Sequence, residues 1–406
     1  MHCCGIRAGI AVGLLAASPL FAWDQGKPQP PGSVLVFPAV EIKWRAIAND
    51  PRMPYAVSMD TIVEIENDGP GVVDLHMFYV NGDAPAVDEP GWNRQECRFS
   101  LDRGQTLQFS AALGNAVCGP FANLDPGVPP GRLEREAKLQ STRMLRGYIM
   151  VWAENELGHE VRWNHLSGQA TLIHYEAATT ASYDAYSFTA CPSGAHECAD
   201  GEEPDDVPGR IALNGVEYSF ADKALRFDFF GVGASYLSHA VTSIAHDFEV
   251  TLMPVSRDLR ASAGTPMAAD MRFEVSNENG DRFSGPHRCV TGWYQVYASR
   301  FPDFLDPFAF STYSLGTDTG RAWVASASSE ACVGSRPFGI VGVVTELTVY
   351  SNARIARGFA TDARRLEGTQ PAHALIRFDV PGGQDRFDPA DDFGPGVVEL
   401  ESDAVE

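Results

Sequence analysis

Beyond its N-terminal segment the chain has no apolar run approaching the roughly 18 consecutive residues that a membrane helix requires. This excludes later helical membrane spans. Basic residues are scarce: 31 Lys and Arg stand against 53 Asp and Glu, a formal charge of −22. Such a surface repels nucleic acid and anionic membranes, and suits divalent cations, basic partners or simple solubility. Strong catalytic signatures are also missing. There is no GxSxG elbow and no Ser-x-x-Lys; GASYL at 233–237 lacks the second Gly of the elbow, and His246-Asp247 therefore has no serine partner legible beside it. FFGVGASY at 229–236 imitates a dinucleotide fingerprint but lacks its third Gly and sits in a β rather than a βαβ pattern. No Cys-x-x-Cys occurs, which argues against a zinc ribbon or a thioredoxin-type site. In HEVRWNH the two histidines, His159 and His165, are six apart. A helix would turn them about 240° from each other, and a strand would separate them by about 20 Å, so neither geometry lets both bind one metal.

What is present begins with an export pattern. MHCCGIRAGIAVGLLAASPLFAWDQ carries Arg7, an apolar run from Ala8 to Leu15, and small residues up to Ala22. This is the layout of a secretory signal peptide, with cleavage expected after Ala22. Cys3 and Cys4 precede the apolar run, where a lipoprotein would place its Cys after it. Processing removes Arg7 and takes the charge from −22 to −23. The six remaining cysteines, Cys97, Cys118, Cys191, Cys198, Cys289 and Cys332, are an even number in an exported chain and are expected to form disulfides. Six cysteines admit 15 connectivities. Pairing of sequence neighbours is expected, Cys97 with Cys118, Cys191 with Cys198 and Cys289 with Cys332. The expected location is the periplasm, the cell surface or the medium. The absence of any Asn-x-Ser/Thr sequon points towards a bacterial source.

Residues 23–32 are a Pro/Gly leader, followed by SVLVFPAVEIKW, an apolar strand interrupted by Pro38. In DTIVEIENDGPGVVDLHMFYVNGD, two runs of period-2 alternation flank the turn residues Asn67 to Gly71. Further strands are expected at CRFSL, TLQFSA, RGYIMVWAE, EVRWNH, ATLIHYE and YDAYSFTA, with one helix over GRLEREAKLQSTRML. Alternation stops in CPSGAHECADGEEPDDVPG, an acidic linker at 191–209, and resumes over 210–350. FEVSNENG at 273–280 echoes VEIENDGP at 63–70, the mark of a divergent tandem repeat. A C-terminal extension at 351–378 leads into an acidic tail at 379–406.

The paired-strand reading of Asp60 to Asp83 resembles the core hairpin of bacterial immunoglobulin-like or fibronectin-like sandwich modules, over about residues 59–113. The resemblance is architectural, brings no catalytic residues, and lacks the Cys-Trp-Cys pattern of antibody domains. It implies an all-β fold of two tandem immunoglobulin-like antiparallel sandwiches, at 33–190 and 210–350, with a short peripheral helix and the acidic tail.

Carboxylates are the chemistry in surplus. ADGEEPDD gathers Asp200, Glu202, Glu203, Asp205 and Asp206, oxygen ligands of the kind calcium takes, although the Pro-rich flanks favour a solvated linker. DRFDPADD at 385–392 is a weaker candidate of the same kind. Trp92 sits in EPGWN, a polar turn, where it could stack on a sugar. No cofactor is required. The expected function is a non-enzymatic exported structural, adhesive or ligand-binding protein, with calcium as an optional stabiliser and a protein or glycan as partner. The alternative is a secreted carbohydrate-active hydrolase that uses a pair of carboxylates.

Overall fold

In the computed structural model the described residues are 29–46, 55–82, 94–121, 132–135, 141–192, 197–204, 208–237, 242–255, 258–263, 266–300, 310–327, 332, 339–352 and 355–368. The signal segment, Trp92, Asp205, Asp206 and the acidic tail with its residues 385–392 lie outside them. The first half contributes β1 (Val34–Ala46), β2 (Tyr55–Asn67), β3 (Val73–Asn81), β4 (Arg94–Leu101), β5 (Thr106–Ser110), β6 (Arg132–Arg135), β7 (Ser141–Glu154), β8 (Leu166–His174), β9 (Thr179–Asp184) and β10 (Tyr186–Phe188). These form one antiparallel sheet in the order β4-β3-β7-β1-β2-β8-β9, with β10 on β1, β5 on β2 and β6 on β7.

This sheet folds over on itself. β2 pairs with β1 only at its start, up to Met59 opposite Lys43, and from Ile62 to Glu66 it pairs with β5 instead. The β5-β2-β8-β9 part therefore swings across a core that it shares with β3, β7 and β1. Tyr79 of β3 meets the ring of Phe109 of β5 edge to face at 5.8 Å across that core.

The second half adds β11 (Ala224–Phe230), β12 (Gly233–Leu237), β13 (Thr242–Val255), α1 (Leu259–Ser262), β14 (Ala268–Asn277), β15 (Arg282–Thr291), β16 (Tyr294–Tyr297), α2 (Thr312–Leu315), β17 (Thr319–Ala327), β18 (Gly339–Asn352), β19 (Ile355–Arg365) and β20 (Glu367–Gly368). One sheet runs β15-β14-β17-β11-β20 and the other β12-β13-β18-β19, with β16 on β13. Phe227 and Phe229 of β11 meet Phe248 of β13 at 5.8 and 5.0 Å between the two sheets. The protein is thus all-β and built from antiparallel sheets.

The two halves share a third core. Val34 and Val36 of β1, Phe78 of β3, Tyr148, Met150 and Trp152 of β7, and Tyr186 and Phe188 of β10 pack with Met253 and Val255 of β13, Trp293 and Val341. On β1, Leu35 and Phe37 point the other way into a core built chiefly by the first half, which Val343 and Ala363 also enter. Strands β1, β3 and β7 are therefore buried on both faces, which explains why their sequences are nearly continuous apolar runs. Pro38 lies where β1 bulges, its pairing to β7 slipping between Phe37 and Val40, and a bulge is where a strand tolerates Pro. The carbonyl of Pro38 accepts the Trp293 Nε1–H at 2.7 Å. Gly82 faces the same indole: a Cβ there would lie 2.4 Å from the ring.

Three sequence expectations change. Strands β2 and β3 are not a hairpin: β2 pairs with β1, β5 and β8, while β3 pairs with β4 and β7. Both carry apolar residues for the same core, so the Asn67–Gly71 turn moves the chain from one side of it to the other. The expected helix over GRLEREAKLQSTRML is instead β6 and the start of β7, which pair Arg132–Arg135 with Ser141–Met144; β7 continues along β1 as far as Thr142, and this long-range pairing overrides local helix propensity. EVRWNH is not a strand: only Glu160 makes a bridge, to Glu154. Trp163 instead turns in so that its Nε1–H reaches the Oδ1 of Asn67 at 2.8 Å. The disulfides join Cys97 to Cys118, Cys191 to Cys198 and Cys289 to Cys332, with Cα separations of 5.5, 6.1 and 5.3 Å.

Candidate functional site

Three polar clusters stand out. The first is set by cross-strand register. His76 of β3 lies opposite Arg98 of β4 on one side and Trp152 of β7 on the other, so Glu154, two residues beyond Trp152, shares their face. His76 is 1% exposed and Glu154 7%. The imidazole Nδ1 lies 3.1 Å from Glu154 Oε2 and 3.4 Å from an Arg98 Nη2, and Arg98 Nε–H donates to Glu154 Oε1 at 2.9 Å. The nearest carboxylate to His76 Nε2 is that of Glu96, at 3.6 Å. Burial, reinforced by the Arg98 charge, pushes the His76 pKa down to about 4. Burial raises that of Glu154 against the opposing pull of Arg98 and Arg260. At neutral pH the imidazole is therefore uncharged, with its Nδ1 set between the Glu154 carboxylate and the Arg98 guanidinium. Arg98, Glu154 and Asn155 line a surface hollow of about 350 Å³ together with Asp74, Ser100 and Leu157. A neutral imidazole against a carboxylate could move a proton, but Ser100, the hydroxyl of this hollow, donates to Asp74.

The second cluster holds the acidic loop. Asp200 pairs with Arg162 at 3.2 Å and with His165 at 3.0 Å. Glu203 accepts from His159 Nδ1 at 2.8 Å and from Asn155 at 3.1 Å, and Glu202 accepts the Ala199 N–H at 2.8 Å. Two of the calcium candidates, Asp200 and Glu203, thus meet His165 and His159, while Glu202 bonds within its own loop and Asp205 and Asp206 lie outside the described residues. Among the described residues, no group of three or more His, Cys, Asp or Glu side chains is arranged to hold a metal.

The third cluster lies between the halves. Glu41 of β1 is 4% exposed and Glu249 of β13 is 7%. Gln295 of β16 donates through Nε2 to Glu41 Oε1 and, at 3.2 Å, to Glu249 Oε2. Both carboxyls are thus gathered on one amide nitrogen, and burial, together with the neighbouring Glu41 carboxyl, raises the pKa of Glu249 well above that of an ordinary glutamate. Arg146, opposite Glu41 in the β1–β7 ladder, supplies a counter-charge and holds its guanidinium 5.8 Å from the Trp293 ring centre.

The remaining sequence candidates separate. Neighbouring side chains on a strand point to opposite faces: His246 meets Thr348 Oγ1 at 3.0 Å and stacks on Phe230, while Asp247 accepts from Ser299 N and Oγ. Sequence reasoning passed over Glu154 and Arg98 as partners of His76, and over Glu41 with Glu249. The available signal was a charge within an apolar run, as in VLVFPAVEI, LHMFYV and FEVTLMPV, because an ionisable group on a buried strand face requires a partner.

No known protein family matches the chain, and no curated protein matches it. Among solved structures it has a slight similarity to the CupB6 tip adhesin from Pseudomonas aeruginosa, at 9% identity over 84% of this chain and 93% of that chain, with a TM-score of 0.10. A superposition at that score carries no argument about fold or function.

Proposed function

We propose that the chain is a non-enzymatic exported protein of the periplasm, cell surface or medium, with a structural, adhesive or ligand-binding role. The observation that supports this reading is the combination of three disulfides with stacked antiparallel layers, in which the principal polar clusters are tied to neighbouring strands and loops. Disulfides persist in oxidising compartments, and no helix among the described residues is long and apolar enough to cross a membrane. The finer description, two immunoglobulin-like sandwiches in tandem, belongs to this proposal; its support is that one core is built chiefly by the first half, with Val343 and Ala363 entering from the second, and another lies within the second half. The partner in this reading is a protein or a glycan; calcium, to act as a stabiliser at the acidic loop, would have to displace Arg162, His165 and His159 from Asp200 and Glu203. A hydrolase would need an open cleft with two carboxylates about 5–10 Å apart; Glu41 and Glu249 are enclosed between layers, and in the surface hollow Glu154 is held by Arg98 and His76 while Asp74 accepts from Ser100.

The test uses the mature oxidised protein on a glycan array and against immobilised cell-surface fractions, beside a reducing-end release assay on mixed polysaccharides. Retention without release is the expected result. Release that disappears in Glu154→Gln or Glu249→Gln would replace this reading with the hydrolase.

A further inference from the structure

The interface between the halves carries several polar ties, and one of them brings two carboxyl groups together. Around it the contact is apolar: Trp152, Tyr186, Phe188, Met253 and Val341 from both halves bury one another. Tyr186 Oη sits between the Gly342 and Leu366 carbonyls at 2.8 and 2.9 Å, and Arg260 of α1 pairs with Glu160 while lying over Trp152. Into this contact β1 sends Glu41 and β13 sends Glu249. Gln295 Nε2 reaches both buried carboxyls, so their oxygens lie within the span of one amide nitrogen, and two carboxyl groups at that range can hydrogen-bond each other only when one of them carries a proton.

We propose that Glu41 and Glu249 share a single proton across the interface and act as a proton-dependent latch, closed when the pair is singly protonated and weakened when that proton is lost. The groups that face Glu249 support this assignment. Glu41 approaches from β1 and Arg146 from β7; Asp247 lies two residues along β13. Gln295 of β16 contributes a neutral amide, while Tyr297 of β16 and Thr345 of β18 lie opposite Glu249 in their ladders. Arg146 thus sets a cation beside the carboxyl groups of Glu41, Asp247 and Glu249. Asp247 is answered by Ser299, which leaves Arg146 to balance one charge of the Glu41–Glu249 pair. Loss of the shared proton converts a hydrogen bond into a contact between like charges within the buried seam, and like charges at close range cannot both ionise without a large cost. The raised pKa of Glu249 is the expected consequence.

The sign follows from linkage. A carboxyl whose folded pKa lies above its unfolded value of about 4.3 binds more protons folded than unfolded, so stability falls as pH rises from that value through the folded pKa. The latch therefore favours mildly acidic surroundings.

Hydrogen exchange of the full oxidised chain from pH 5 to pH 9, corrected for intrinsic rates, tests this. Peptides covering Tyr186–Phe188 and Val341–Val344 should lose protection at least tenfold more steeply with pH than the β2–β8 ladder. In Glu249→Gln, whose amide can still donate to Glu41, the difference should vanish. Infrared spectroscopy at pH 7 supplies a second readout that does not depend on the variant's stability: wild type should carry a protonated-carboxyl band that Glu41→Gln reduces. Equal pH slopes in wild type and Glu249→Gln, or an infrared band unchanged by Glu41→Gln, would overturn the latch.

Discussion

Replacing Asn67 with alanine should be among the most damaging single changes in the first half. Its side chain is fully buried at the end of β2. Nδ2 donates to the carbonyls of Gly71, Leu101 and Asp102 at 2.9, 3.1 and 3.2 Å. Oδ1 accepts from Gly69 N at 2.9 Å and from Trp163 Nε1 at 2.8 Å. Alanine strands the Trp163 and Gly69 donors and three carbonyls. A net hydrogen bond is worth about 1 kcal/mol, and a stranded buried donor costs about 1–3 kcal/mol, so the expected loss is on the order of 4 kcal/mol, a large share of the roughly 5–15 kcal/mol that holds a typical domain. Asn67→Asp should be at least as harmful, because it keeps the acceptor but turns a second oxygen towards three carbonyls. Asn277, its counterpart in the sequence echo, makes a smaller set of bonds, to Asp281 and the Leu315 carbonyl; Asn277→Ala should cost about half as much by the same accounting. Urea denaturation of the oxidised protein, followed by tryptophan fluorescence, measures both. A loss below about 1 kcal/mol for Asn67→Ala would refute the view that this amide organises the crossing, since that is the worth of one ordinary hydrogen bond.

Three further outcomes are expected. With the His76 pKa lowered to about 4, the folded state binds fewer protons than the unfolded chain below about pH 6.5, so stability from this group should fall as pH drops from about 6.5 towards 4, by on the order of 3 kcal/mol in all; Glu154, shifted upward, opposes part of that loss, and His76→Gln should flatten the acid limb of a thermal-midpoint profile. Tyr186→Phe removes a hydroxyl that accepts from Gly342 N at 3.0 Å and lies between two carbonyls; it should cost about 1–3 kcal/mol in a chemical melt, and no measurable change would separate the halves energetically. Calcium must compete with Arg162, His165 and His159 for Asp200 and Glu203. Scanning calorimetry should therefore find a midpoint shift below about 1 °C between chelator and 1 mM calcium, the shift expected when ligand does not exceed its Kd; a rise of several degrees that Asp200→Asn abolishes would make the loop a calcium site.

Much of the strand content was legible because half-buried strands announce themselves by alternation. β4 reads exposed at Arg94, Glu96, Arg98 and Ser100 and buried at Cys97, Phe99 and Leu101, and the sequence shows it. Pairing was not legible, because alternation identifies a face without identifying a neighbour. Val63 and Ile65 of β2 and Leu75 and Met77 of β3 enter one core, a pattern equally compatible with a hairpin and with a crossing. The helix over residues 131–145 failed for a related reason: Leu133, Ala137 and Leu139 match a helical period over too few turns to outweigh the β1–β7 ladder. The acidic loop read correctly as rich in carboxylates, but its partners His159, Arg162 and His165 lie some forty positions earlier in the chain, beyond local pattern.

The shared core has a consequence for cooperativity. In an ordinary tandem array, domains meet over modest polar contacts and move relative to one another by default. Here β1, β3 and β7 use one face for the first half's core and the other for the seam with β13 and β18, so neither face can be exposed without cost to the other. Burying a large apolar side chain is worth about 1.5–3 kcal/mol, and Trp152, Met150, Tyr148, Phe78, Phe188, Met253 and Val341 all depend on the seam. That sum is comparable to the stability of a domain, so separating the halves should resemble unfolding one of them. The polar ties at Pro38, Glu160, Tyr186 and the Glu41–Glu249 pair then act on a cooperative structure, and a single proton can matter because the seam has no loosely joined state to absorb its loss.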